Sequence, residues 1–123
     1  MHELGLAVEI HRRARSHVEA NATGRLARVV VAVGELSAVE PDLLRFAWQA
    51  VIAGSTDEGA TLEIEWCPAH QHCASCGATL ERATGAWLAA CPGCGEPLEV
   101  LGGTELDLLR VVLTVADQES LAS

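Results

Sequence analysis

Four cysteines restrict this chain more than any other feature. They fall as Cys73-Ala-Ser-Cys76-Gly77 and Cys91-Pro-Gly-Cys94-Gly95, with fourteen residues between the pairs. Two Cys-x-x-Cys pairs at this separation fit one tetrahedral Zn(II) site, each pair bending into a knuckle that aims two thiolates at the ion. Gly77 and Gly95 can take the left-handed conformation that such turns often need, and Pro92 with Gly93 pre-shapes the second turn. Four thiolates fill the zinc shell and leave no place for water, which makes the ion structural rather than catalytic. Its binding would supply much of the folding free energy of a segment too poor in apolar residues for a core of its own. Two disulfides or a redox dithiol are the competing readings; the doubled motif favours metal.

The remaining composition bounds the rest. At 123 residues and 50% apolar, the chain has material for one domain, or one small domain carrying a smaller one. No run approaches the ~18 apolar residues of a membrane span, and no basic region followed by an apolar core marks a signal peptide. The expectation is a soluble cytoplasmic protein, a compartment in which cysteines favour metal over disulfides. The net charge is −9, and every basic residue is an arginine. That balance argues against a nucleic-acid partner and suits cations or a basic protein surface.

Met1-His2-Glu3 places an amine, an ionisable backbone amide and an imidazole within two residues, with a carboxylate next to them. Such a nitrogen set suits Ni(II) or Cu(II) in planar or tetragonal geometry; the bland reading is a frayed terminus with a surface histidine. Leu4 to about Ala20 reads as an amphipathic helix, and His11 and His17, on or beside its apolar arc, are left out of the metal site. Arg25–Val33, with its Val29–Val33 run, reads as a central or doubly buried strand. A second helix starts at Glu40-Pro41-Asp42 and carries Leu43, Leu44, Phe46, Ala47, Trp48, Val51 and Ile52 as a broad core-facing surface, stopping at Gly54. Thr61–Trp66 alternates as a half-buried strand with Leu62, Ile64 and Trp66 inward. Cys67 is an odd thiol at its end, and His70 and His72 are spare ligands. Leu80, Trp87 and Leu88 are available to cover the cysteine site. A short strand covers residues 97–101. In the last strand, Glu105–Val115, the inward set shifts, which a β-bulge near Leu108 reconciles.

The order helix, strand, helix, strand, zinc module, strand predicts an α+β fold. Two helices pack on a small three-stranded sheet, and a four-cysteine, zinc-ribbon-like module is inserted between two strands. The expected division is residues 1–66 with 103–118 as one domain and residues 67–102 as the zinc-binding module.

Four blocks carry a family resemblance: Met1-His2-Glu3-Leu4, the run Val33-Gly34-Glu35-Leu36-Ser37-Ala38-Val39-Glu40-Pro41, Gly59-Ala60-Thr61-Leu62-Glu63-Ile64, and both Cys-x-x-Cys pairs. Gly103 to Leu109 adds a weaker match. The chain resembles the HypA/HybF family of [NiFe]-hydrogenase maturation nickel chaperones over almost its whole length. Gly5 departs from the serine common there. The resemblance implies a metallochaperone rather than an enzyme, which delivers Ni(II) to the hydrogenase large subunit together with a nickel-binding, HypB-like GTPase. It implies His2 as the essential nickel ligand, helped by the Met1 amine or adjacent backbone nitrogens, with Glu3 beside the site. Cys73, Cys76, Cys91 and Cys94 would hold structural zinc. Glu40 stands where some relatives have a carboxylate near the nickel. Monomer and homodimer are both open. The rival readings are a zinc-ribbon protein–protein adaptor without nickel transfer and, last, a zinc or thiol enzyme, which lacks an open zinc position and a nucleophile–base pair.

Overall fold

A computed structural model describes residues 2–21, 24–80, 82 and 85–114. Helix α1 spans His2–Asn21, two residues earlier than its apolar periodicity suggests, so the first turn already contains His2 and Glu3. Ala7, Ile10, Ala14 and Val18 form its buried stripe. Strand β1 (Arg25–Gly34) follows and then a single 3-10 turn, Glu35–Ser37. Helix α2 (Pro41–Ile52) begins with proline in its first turn, where a missing N–H costs nothing. Gly54, at φ 76°, ends it.

Strands β2 (Thr61–Cys67) and β6 (Leu106–Thr114) flank β1 in the order β2-β1-β6. β1 is therefore central, which is why it tolerates so continuous an apolar run. It pairs parallel with β2, α2 forming the crossover, and antiparallel with β6. Val30 faces Arg110 and Val31 faces Leu108, so Leu109 is the extra residue of a bulge; a second register shift falls between Leu26 and Arg28. The predicted bulge thus exists and returns Val111 and Leu113 to the core side.

The core lies between one face of this sheet and the two helices. Val29, Val31 and Val33 of β1 and Leu62 of β2 meet Ile10 and Val18 of α1 and Leu44, Trp48 and Ile52 of α2. Trp48 is fully buried, its indole N–H donating to Ala60 O at 2.9 Å, so its polar group is satisfied inside the core. Two expectations need correction. Phe46 is 75% exposed and Leu43 49%, so α2 is narrower on its core side than its composition implies; both lie outside the arc of Leu44, Ala47, Trp48 and Ile52. Trp66, expected inward, is 40% exposed at the sheet margin.

The insertion has a sheet of its own, of which the sequence revealed only the strand at residues 97–101. Strands β3 (His70–His72), β4 (Thr79–Leu80) and β5 (Glu99–Leu101) pair antiparallel in the order β4-β3-β5. At two or three residues each, they are too short for an alternation signal. Val115, expected to close the last strand, lies outside the described residues, as does Met1.

Candidate metal centres

The two cysteine pairs fold into matching knuckles. Gly77 N donates to Cys73 O and Gly95 N to Cys91 O, both at 2.8 Å, while Cys73 N donates to Ala78 O and Cys91 N to Glu96 O, both at 2.9 Å. Gly77 and Gly95 sit at φ 77° and 75°, the left-handed region that glycine enters without steric cost. The four Sγ atoms all lie within 4.8 Å of one another, with Cys73–Cys94 at 3.5 Å and Cys76–Cys91 at 3.7 Å. A tetrahedron with metal–sulfur arms of ~2.3 Å has edges of about 3.8 Å, whereas a disulfide brings sulfurs to ~2.05 Å. All five cysteines are free thiols. The donor set and spacing therefore fit one tetrahedral, thiolate-preferring ion. Cys73 and Cys91 are buried, Cys76 and Cys94 exposed. The amides of Gly93 and Cys94 hold the Cys91 thiol down to about 7. Cys94, although helped by the Glu96 amide, is pushed up to about 11, chiefly through its hydrogen bond with Cys73. Metal capture needs thiolates, so loading the site releases protons. Among the described residues this is the one group of three or more His, Cys, Asp or Glu side chains gathered so closely.

The segment between the pairs is pinned twice. The buried Gln71 amide accepts from Leu88 N at 2.9 Å and donates to Leu88 O at 3.0 Å. Glu35, from the 3-10 turn, accepts from Gly85 N at 2.8 Å, from Ala69 N at 3.0 Å and from Arg82 Nη2. Burial alone would raise the Glu35 carboxyl; these three donors outweigh it and hold it below the usual carboxylate range. Trp87 is packed on the Arg82 guanidinium, 3.7 Å from its ring centroid. Cys67, at the end of β2, stands apart from the cluster, its thiol raised by burial and by Glu105, Glu65 and Asp107.

At the other predicted site the imidazole of His2 is exposed and its Nδ1 lies 3.9 Å from Glu3 Oε2. Glu3 is buried, and the same oxygen accepts from Glu40 N at 3.2 Å, a bond from the start of α2 to the first turn of α1. That amide is the main cause that holds the Glu3 carboxyl below its ordinary range. Glu40 itself is exposed and takes part through its backbone. Sequence reasoning placed Glu3 beside His2 but had no signal for its bond across to α2. It likewise missed Asp57, whose carboxylate, 1% exposed, meets His11 Nε2 at 2.7 Å, Arg15 Nη1 at 3.0 Å and Leu26 N at 2.9 Å. That network explains His11 without a metal.

Residues 1–113 match the model of a family described as hydrogenase/urease nickel incorporation, metallochaperone, HypA. A hydrogenase maturation factor HypA of Dechloromonas aromatica is 35% identical over 112 residues, covering 90% of this chain and 97% of the relative. That of Azotobacter chroococcum is 38% identical over 107 residues, covering 86% and 93%. Among solved structures, the fold is similar to a HypA solution structure at TM-score 0.64 and 24% identity, covering 93% of this chain and 97% of the other. It is also similar to the nickel metallochaperone HypA of Helicobacter pylori, at TM-score 0.59 and 21% identity, covering 92% and 97%.

Proposed function

This chain belongs to the HypA family of hydrogenase-maturation nickel metallochaperones, and from that membership we propose that it carries Ni(II) at its N-terminus and delivers it to the large subunit of a [NiFe]-hydrogenase. The ligands are the His2 imidazole and backbone nitrogen with the Met1 amine, and the Glu3 carboxylate lies beside them as oxygen donor or orienting group. The observation that carries this reading is the exposed His2 in the first turn of α1, next to a buried Glu3 tied to Glu40 N. The first four N–H groups of a helix have no intrahelical partner, so losing the His2 or Glu3 amide proton to a metal breaks no helix bond. An exposed chelate of this kind can be reached by a second protein's ligands, which suits transfer rather than storage. Backbone-nitrogen ligation requires proton loss, so nickel affinity falls with acidity.

Residues 67–102 form the zinc-binding module, with Cys73, Cys76, Cys91 and Cys94 as a closed structural Zn(II) site; residues 1–66 and 103–118 form the nickel-binding part. The protein works in the cytoplasm, as a non-enzymatic carrier, with a HypB-like GTPase as its nickel-handling partner and as a monomer or homodimer. The test is a Ni(II) titration of zinc-loaded protein, wild type beside His2→Ala, with both metals counted by elemental analysis. Tight one-per-chain binding in the wild type, lost in His2→Ala while zinc stays at one per chain, is the expected result. Nickel binding that survives the substitution moves the site to other histidines. No binding in the wild type leaves a zinc-ribbon adaptor.

A further inference from the structure

Glu35 and Glu40 stand at the two ends of one short connection between β1 and α2. At the first end the Glu35 side chain, 7% exposed, gathers Arg82 Nη2, Gly85 N and Ala69 N. Two of these donors belong to the segment between the cysteine pairs. The Arg82 side chain is itself only 4% exposed, its Nη1 donating to Ala86 O at 3.2 Å and its plane covered by Trp87. At the second end, Glu40 N holds the Glu3 carboxylate beside His2. The connection is braced along its length. Ser37 Oγ donates to Gly34 O at 2.7 Å and accepts from Val39 N at 3.4 Å, Leu36 N donates to Gly103 O at 2.6 Å, and Ala38 is held at φ 63°. A non-glycine residue in that region persists only where its surroundings over-determine it.

Burying an ion pair costs desolvation that its Coulomb attraction often does no more than recover, so such pairs are poor stabilisers but strict about geometry. Neither Glu35 nor Arg82 is part of the apolar core or of the cysteine cluster. We propose that Glu35 is a latch: it fixes the segment between the cysteine pairs to the 35–40 connection, and the seating of that segment is thereby transmitted to the carboxylate beside His2. The last link rests on the nickel reading above. When the segment lifts, Glu35 is left charged with a single amide donor. It then turns toward water, and the connection moves the Glu40 amide off Glu3.

The test uses full-length zinc-loaded protein as wild type, Glu35→Gln, Arg82→Gln and the double variant. Hydrogen exchange is followed in residues 85–90 and 2–8, and Ni(II) affinity is titrated alongside. Each single variant is expected to speed exchange in both segments by about tenfold, the direction required when one partner of a buried pair is removed. The double variant should be no faster than either single one, because the two groups act as one unit. Zinc should stay at one per chain, and nickel affinity should fall several-fold. Arg82→Gln lies outside the core and reads the same latch if Glu35→Gln fails to fold. Unchanged exchange at residues 85–90, or loosening there with residues 2–8 unaffected, overturns the proposal. A wild type that binds no nickel removes the nickel reading alone, since exchange at residues 2–8 still decides whether the latch transmits.

Discussion

Asp57 is the residue on which the half built from the two helices and the first sheet turns energetically. It sits in the turn between α2 and β2 and reaches α1 through His11 and Arg15 and the start of β1 through Leu26 N. Burial pushes its carboxyl up, but the Leu26 amide, His11 and Arg15 push harder in the other direction, and the net shift is downward. A carboxyl whose folded value lies below its unfolded value of about 3.9 stabilises the fold above that pH and loses the contribution as pH falls toward the folded value. Asp57→Ala leaves Leu26 N without its acceptor and the Arg15 guanidinium without its counter-charge, with only Gly24 O to receive it, and should cost about 3 kcal/mol at neutral pH. Urea unfolding of both proteins at several pH values checks this: the gap should be constant near neutrality and narrow below pH ~4. A gap that widened in acid would contradict the lowered pKa. None of this was legible in the sequence. Asp57 occurs in a polar loop, Ser55 to Gly59, indistinguishable by composition from a solvated turn, and its partners lie 46, 42 and 31 positions away.

Among the elements, those of regular period were readable and those organised by long-range contacts were not. The Val29–Val33 run announced a central strand because a run apolar on both faces needs cover on both, and the broken alternation after Leu108 announced the bulge because it is a slip in a two-residue period against a buried face. The faces of α2 were read too generously, since apolar residues at i, i+1, i+4 and i+5 fit several arcs and only packing selects one; Phe46 lost that selection. The β1 exit shows what such tertiary selection demands. A Cβ on Gly34 would lie 2.1 Å from Gly103 O and 2.6 Å from Glu105 N, where Gly34 N donates to Glu105 O at 2.7 Å. The obstacle is backbone on both counts, so it cannot rotate away. Gly34→Ala should force β1 and the approach to β6 apart and cost about 2 kcal/mol, in the range for overpacked sites. Thermal melting would register it as a lowered midpoint, with amide exchange fastest around residues 34–36 and 103–106. An unchanged melting point would mean that the approach is looser than this geometry.

Taken across the molecule, the two sheets are held by different physics. The first has a complete apolar core, and that core draws no residue from between Ile64 and Leu108. The second has three strands of two or three residues, with Val100, Leu101, Trp87 and Leu88 all more than 40% exposed. Its buried hydrophobic residues are few, and Cys73 and Cys91 are two of them. The cysteine spacing made the metal site legible in the sequence because ligand chemistry is local. Of the sheet around it only the strand near residues 97–101 was legible, since strands of two or three residues carry almost no period and the segment has little apolar surface to fold it. Removing the ion with a thiol-compatible chelator should therefore unfold the β3–β4–β5 sheet alone. Amide exchange in residues 70–80 and 91–101 should rise to that of an open chain, while residues 25–34 and 61–66 keep their protection. Readdition of Zn(II) should restore the lost protection. If chelation instead released both sheets together, the connections at residues 34–36, 69 and 102–105 would carry more stability than the apolar core does. Sub-global unfolding with the first sheet intact would make the metal the local equivalent of a hydrophobic core, which is what a segment this poor in buried apolar surface requires.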